Sequence, residues 1–207
     1  MSNNYSIIMA GGIGSRFWPL STAENPKQFL DVLGIGKTLI QMTYERLLHI
    51  SPNENIFIMT NQEYKAKVLE QLPNLSPSQV LTEPERKNTA PCIAYAAGKI
   101  QAMNPNANLI VCPADHLIMQ EDRFKKSIEV ALESSQSGRI ATIGIAPTRP
   151  DTGYGYIEVN QESSFSPNSI FEVQQFREKP NLTVAEEFVA SGNFFWNSGI
   201  FIWKAST

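Results

Sequence analysis

Through the first 146 residues, short apolar runs alternate with longer amphipathic stretches. Runs at 6–10, 55–60, 79–82 and 108–112 have the length of buried strands, and stretches at 38–50, 62–72, 89–103 and 121–135 have helix length. Asn61 before the second helix and Pro73 after it serve as start and stop signals. Parallel neighbours need a crossover connection, usually a helix, so strands alternating with helices imply βαβ units. The pattern therefore predicts the α/β class, with a mixed, mainly parallel central sheet flanked by helices. After residue 146 the spacing shortens, with strands at 139–146, 156–159, 170–177 and 199–203 and one helix at 183–190. This part reads as an extension of the same sheet. One domain over 1–207 is expected, with one half of a site in about 1–146 and the other in about 147–207. In such sheets ligands bind beyond the carboxyl ends of the strands.

At those ends, residues 7–19 read IIMAGGIGSRFWP. An apolar run enters Gly11 and Gly12, then Gly14, Ser15 and Arg16. Glycine lets backbone approach a ligand closely and permits positive φ. Successive N–H groups in such a turn form an anion-binding concavity, and arginine adds a planar fork that matches phosphate. Lys27 follows eleven residues after Arg16, in a loop restricted by Pro19 and Pro26. Two look-alikes are excluded. The dinucleotide pattern G-x-G-x-x-G fails because Phe17 stands at the third glycine position. A Walker A loop fails at 31–38 (DVLGIGKT) because Asp31 replaces the first glycine, so Thr38 reads as a helix cap. The plain alternative is a glycine-rich turn with two solvated cations.

Net charge is −3 over 207 residues, which leaves no electrostatic footprint for nucleic acid or a membrane surface. Cations that meet phosphate must then be concentrated in one site. No apolar run is long enough to span a bilayer, and the one at 7–10 is too short for a signal peptide, so a cytoplasmic protein is expected. Cys92 and Cys112 lie in apolar surroundings without a C-x-x-C pattern and read as reduced, buried thiols.

Three further segments carry polar groups to element ends. Residues 83–91 (EPERKNTAP) open a helix, whose N-terminus favours anions; Asn88 and Thr89 are equally ordinary caps. Residues 109–116 (LIVCPADH) deliver Asp115 and His116 to a strand end, where a carboxylate suits Mg²⁺ but also suits a turn. Residues 152–157 (TGYGYI), 176–180 (FREKP) and 196–200 (WNSGI) offer backbone and side chains for sugar hydroxyls, or plain turns and bulges.

Taken together, 10–20 (AGGIGSRFWPL), 26–30 (PKQFL), 88–91 (NTAP), 113–116 (PADH), 153–157 (GYGYI), 178–180 (EKP) and 197–201 (NSGIF) resemble the mannose-1-phosphate guanylyltransferases, within the sugar nucleotidyltransferases. The resemblance runs over nearly the whole chain in the family's order. It implies a Rossmann-like nucleotide-binding fold, GTP and mannose 1-phosphate as substrates, Mg²⁺ as cofactor, and GDP-mannose and pyrophosphate as products. It implies catalytic roles for Arg16, Lys27 and Asp115, with Asp115 holding the metal. Ala10, Gly11, Gly12, Gly14, Ser15, Glu83, Lys87, Asn88, Thr89 and Pro113 would line the nucleotide. Gly155, Glu178, Lys179 and Asn197 would face the sugar phosphate. Lys87 stands where family members commonly carry arginine, keeping the charge without the fork. The family continues past residue 207 with a second metal-binding aspartate, so the resemblance implies a truncated catalytic domain, weakly active or inactive by itself; the full-length protein is open to homo-oligomerisation, its state not fixed by the sequence. Another sugar-1-phosphate nucleotidyltransferase, a metal-dependent glycosyltransferase and a nucleotide-binding module without turnover remain the alternatives.

Overall fold

The structure, a computed structural model, describes residues 3–12, 17–83, 89–160 and 166–207. Strands β1 (Asn4–Met9), β2 (Ile56–Asn61), β3 (Val80–Glu83) and β4 (Asn108–Pro113) lie parallel in the order β3-β2-β1-β4. Helices α1 (Leu39–Leu48), α2 (Lys65–Gln71), α3 (Thr89–Met103) and α4 (Glu121–Ser135) supply the crossovers. The period-2 alternation of a strand explains how both faces are covered. Ile8, Ile58 and Ile110 pack on one face with Ile40 and Leu47 of α1, Val68 of α2 and Ile128 of α4. Their neighbours Ile7, Phe57, Met59, Leu109 and Val111 pack on the other with Ala96 and Ile100 of α3. Because helices lie on both sides, β2 reads as a continuous apolar run rather than an alternating one.

The second half adds β5 (Ala141–Ile145), β6 (Tyr156–Val159), β7 (Val173–Arg177), α5 (Leu182–Ser191) and β8 (Phe194–Lys204). All eight strands join one sheet, with three parallel and four antiparallel pairings. The expected mixed sheet is therefore present. Its parallel part is β1 to β4, and every pairing made by β5 to β8 is antiparallel. β8 joins the two parts. Ile202 pairs with Ile110 of β4 and with Ala141 of β5, while Trp196 pairs with Ile145 of β5 and Tyr156 of β6. Between these contacts two residues of β5, Thr142 and Gly144, are matched to Phe201 and Asn197, so β8 bulges around 198–200. Gly199 takes φ +70° there, a conformation that glycine adopts without a steric penalty. A small second core of Tyr156, Ala185, Phe194 and Trp196, with Phe188, fastens α5 to β6 and β8.

Some boundaries differ from expectation. The last strand begins at Phe194, not 199, because the Asn-Ser-Gly sequence that reads as a turn is a bulge inside the strand. The strand expected from 170 begins at Val173. The second helix opens with a 3-10 turn, Gln62–Tyr64, before α2. Asn61 does not cap it: its side chain turns to the Gly11 carbonyl instead. Thr38 does stand at the N-cap of α1, with its N–H donating to Gln41 Oε1 at 2.9 Å. The preceding loop confirms why a Walker A reading fails. The N–H groups of Ile35 and Gly36 donate to the Asp31 carboxylate at 3.1 and 2.7 Å, so the loop's own acid accepts bonds from its amides. Lys37 pairs with Glu45 at 2.7 Å. Both cysteines are free and buried, and burial pushes each thiol up to about 12. Among the described residues no helix is long and apolar enough to cross a membrane.

Candidate functional site

The carboxyl ends of β1, β2, β3 and β4 fall on one edge of the sheet, because parallel neighbours end together. The turn after β1 is held there by three side chains. Gln28, 2% exposed, donates through Nε2 to the carbonyls of Ala10 and Gly12, both at 2.9 Å. Thr60 Oγ1 donates to the Ala10 carbonyl at 3.0 Å, and Asn61 Nδ2 to the Gly11 carbonyl at 3.2 Å. All three carbonyls are thus occupied, whereas the N–H groups of Gly11 and Gly12 have no protein acceptor among the described residues. A turn with its acceptors tied down and its donors unpaired is suited to an anion. Neither Gly11 nor Gly12 has positive φ, so conformational freedom is not the reason for glycine here. A Cβ at Gly12 would meet nothing within 4 Å, which leaves the backbone bare toward open space. Gly14, Ser15 and Arg16 lie outside the described residues.

Across this turn stand two opposite charges. Lys27 opens a 3-10 turn, Lys27–Phe29, and its Nζ forms an ion pair with Asp115 Oδ2. The two side chains are 27% and 24% exposed, so the pair is sheltered yet reachable. Lys27 Nζ also lies 5.4 Å from the Phe17 ring centroid. Asp115 follows β4, whose Pro113 pairs with Met9 of β1, and the Ala114 N–H donates to the Met9 carbonyl at 3.0 Å. Next to it, burial lowers the His116 pKa; Asp115 pulls it up, and the cations Arg46 and Lys27 push it further down. The imidazole is therefore neutral at neutral pH.

The expected sugar-side residues also converge. The Asn197 N–H donates to the Gly155 carbonyl at 2.8 Å. A Cβ on Gly155 would lie 3.5 Å from Glu178 Oε2 and 3.8 Å from Asn197 Cβ. Lys179 Nζ pairs with Glu178 Oε1 at 2.6 Å. The two groups meet at the bulge in β8, where a Cβ on Gly199 would lie 3.5 Å from Pro113 Cγ, and Asn197 Oδ1 accepts from the Gly199 N–H at 2.9 Å.

A nucleotidyl transferase family model matches residues 5–206. The chain belongs to the nucleotidyl transferase family. Within it, the chain is 42% identical over 204 residues to a mannose-1-phosphate guanylyltransferase of Salmonella montevideo, covering 96% of this chain and 42% of that protein. It is 41% identical over 209 residues to the mannose-1-phosphate guanylyltransferase of Escherichia coli K12, covering 99% and 43%. The chain thus spans about two fifths of the length of these curated relatives. A crystal structure described as a mannose-1-phosphate geranyltransferase from Thermus thermophilus superposes with a TM-score of 0.87 at 30% identity, over 99% of this chain and 58% of that one.

For a nucleotidyl transferase, the remaining residues divide into those brought to the edge and those not. Glu83 ends β3 in register with Asn61, and its carboxylate adds to the burial that raises the Cys92 thiol pKa. Thr89 is the exposed first residue of α3. Lys87 and Asn88 lie outside the described residues. Sequence reasoning gave no role to Gln28 or Thr60 and read Asn61 as a helix start signal; all three hold the turn. Only Thr60 carried a signal, a polar residue directly after the buried apolar run of β2; Gln28 and Asn61 look like ordinary loop and cap residues. Among the described residues no three His, Cys, Asp or Glu side chains group as a metal cage. Among the described residues Asp115 offers carboxylate oxygens just after β4, already beside Lys27. That donor set fits a hard cation that arrives with phosphate ligands of its own.

Proposed function

We propose that the protein transfers a guanylyl group: mannose 1-phosphate attacks the α-phosphorus of GTP, giving GDP-mannose and pyrophosphate. The observation that carries this reading is the Lys27–Asp115 pair, whose chain neighbours Gln28 and Ala114 bond to the end of β1 beside the unpaired amides of Gly11 and Gly12, with the Gly155, Glu178 and Asn197 cluster adjoining through Pro113. The relatives' names supply the choice of sugar and nucleotide.

In the reaction a phosphate oxygen of the sugar phosphate forms a bond to the α-phosphorus. The bond from that phosphorus to the bridging oxygen breaks, and pyrophosphate leaves with the electron pair. A phosphate monoester has a second pKa near ~6, so the nucleophile is mostly dianionic at neutral pH and requires no general base. A neutral His116 is consistent with that. The burden is charge and alignment. Gly11, Gly12 and Gly14 would cradle the triphosphate, flanked by Ala10, Ser15 and Pro113. Arg16 and Lys27 would neutralise its β and γ phosphates. Glu83, Lys87, Asn88 and Thr89 would lie on the guanine side, and Gly155, Glu178, Lys179 and Asn197 on the sugar-phosphate side. Asp115 would hold Mg²⁺ together with the phosphates. Such an ion offsets the negative charge that builds up on them.

Pyrophosphate release, measured over a panel of nucleoside triphosphates and sugar 1-phosphates, tests the reading. GTP with mannose 1-phosphate should be the preferred pair, and Arg16→Ala should slow it by at least ~10²-fold. Preference for another pair would move the protein to a different sugar nucleotide. Binding of GTP without pyrophosphate release from any pair would leave a nucleotide-binding module.

A further inference from the structure

Two buried polar side chains one turn apart on α1 sit directly beneath the Asp115 loop. Thr43 is 2% exposed and Arg46 3%. Thr43 Oγ1 donates to the carbonyl of Ala114 at 3.2 Å. Arg46 Nη2 donates to the carbonyl of His116 at 3.3 Å and to Thr43 Oγ1 at 3.0 Å. Ala114 and His116 are the two neighbours of Asp115 in the chain. Helix α1 therefore holds the peptide carbonyl on each side of the carboxylate, and a hydrogen bond between the two holding side chains couples them.

Packing alone does not account for Arg46. Its guanidinium carbon lies 5.5 Å from the ring centroid of Phe124 on α4, which an apolar side chain could also cover. Among the described residues Glu121 favours its charge through space but forms no ion pair with it, and its Nε and Nη1 have no hydrogen-bond partner. A buried charge without an ion pair is unfavourable for folding, and an apolar side chain of similar volume is often better tolerated. What the guanidinium adds is the hold on the loop. We propose that Arg46 is a positioning residue: acting with Thr43, it fixes the backbone on both sides of Asp115, and so sets where that carboxylate stands for a Mg²⁺-bound nucleotide. This rests on the function proposed above. It adds a residue that touches neither substrate nor metal.

The test uses Arg46→Met, which keeps the apolar contact with Phe124 and removes the charge and the donor, and Thr43→Val, which keeps the shape and removes the other donor. Two readouts are taken on the whole chain: amide hydrogen exchange over 113–118, and the Mg²⁺ concentration that half-saturates GTP binding. In Arg46→Met the melting temperature should hold or rise. Exchange over 113–118 should quicken by ~10-fold while 109–112 keeps its protection. The Mg²⁺ requirement should rise ~10-fold or more, the scale for losing a group that orients a metal ligand. Thr43→Val should move both readouts the same way, and it decides the matter if Arg46→Met does not fold. Parent-like exchange in the loop would overturn the proposal. So would faster exchange with an unchanged Mg²⁺ requirement. If the parent chain binds no GTP with Mg²⁺, the functional reading falls with the metal part of this proposal, and the exchange data still decide whether the clamp exists.

Discussion

All six residues of β2 are buried, and all five of β7 are exposed, although both belong to the same sheet. β2 lies between β1 and β3 with helices on both faces. Among the described residues β7 pairs only with β6, and it leaves Val173 and Phe176 41% and 50% exposed. The difference teaches where each half of the site gets its precision. On the parallel side Gly11, Gly12 and Asp115 of the candidate site follow the ends of strands packed on both faces. On the antiparallel side, Gly155, Glu178 and Asn197 are held by backbone pairing and by one small aromatic cluster.

Four expectations probe that contrast. The largest effect belongs to the charge at the parallel end. Asp115→Asn should slow nucleotidyl transfer by about 10³-fold, roughly 4 kcal/mol of activation free energy, with little change in melting temperature. Pyrophosphate release and a thermal melt check it, and a near-normal rate would place the chemistry elsewhere. Next comes the core under that edge. Ile58→Ala, at a side chain with no exposure, should destabilise the fold by about 3 kcal/mol. Phe176→Ala on β7 should stay within about 0.5 kcal/mol. Urea unfolding of the two compares the halves directly, and equal losses would erase the contrast.

The third effect tests the join. Gly199→Ala forces a Cβ into φ +70°, a strain of about 1–2 kcal/mol. Gly155→Ala meets only ordinary contacts and should unfold like the parent. Similar losses at both glycines would mean that the bulge carries no special strain. The smallest effect is a pH dependence far from the site. Backbone hydrogen bonds, chiefly from Gly36, hold Asp31 below its ordinary pKa of 3.8. A carboxyl depressed on folding contributes stability that is full above the ordinary value and is lost as pH falls through the lower folded value. The parent should therefore exceed Asp31→Asn in melting temperature at neutral pH, and the gap should close in acid below the ordinary value. A gap that does not change with pH would show that the loop does not depend on that charge.

The parallel half was legible because burial on both faces leaves long apolar runs, and helices between them imply parallel crossovers. The antiparallel half was less so. Its strands alternate or lie exposed, and Asn197-Ser-Gly199 carries turn chemistry while sitting inside a strand. Of the charged groups, Lys27 and Asp115 were readable from their motifs, and the structure pairs them. Gln28 and Asn61 were not, since each looks like an ordinary loop or cap residue until the turn folds back onto it. Arg46 was invisible for a different reason. On an amphipathic helix an arginine is assigned to water by default, and only the tertiary fold shows it buried under a loop some 70 residues away.

The course of β8 limits how this molecule could be divided. Within the one domain expected, the proposed nucleotide groups lie before about residue 146 and the proposed sugar-phosphate groups after it, so a cut suggested by that division would fall there. Yet the last strand runs back to zip Phe201 to Lys204 against Val111 to Asn108. A fragment ending at the suggested cut would leave the β4 edge bare, with its ladder groups open to any other copy it met. Such a fragment would aggregate rather than stand as a small nucleotide-binding protein. Grafting a different sugar half onto this one would require replacing the early part of β8 and keeping its end, so the practical seam runs through the bulge at 198–200.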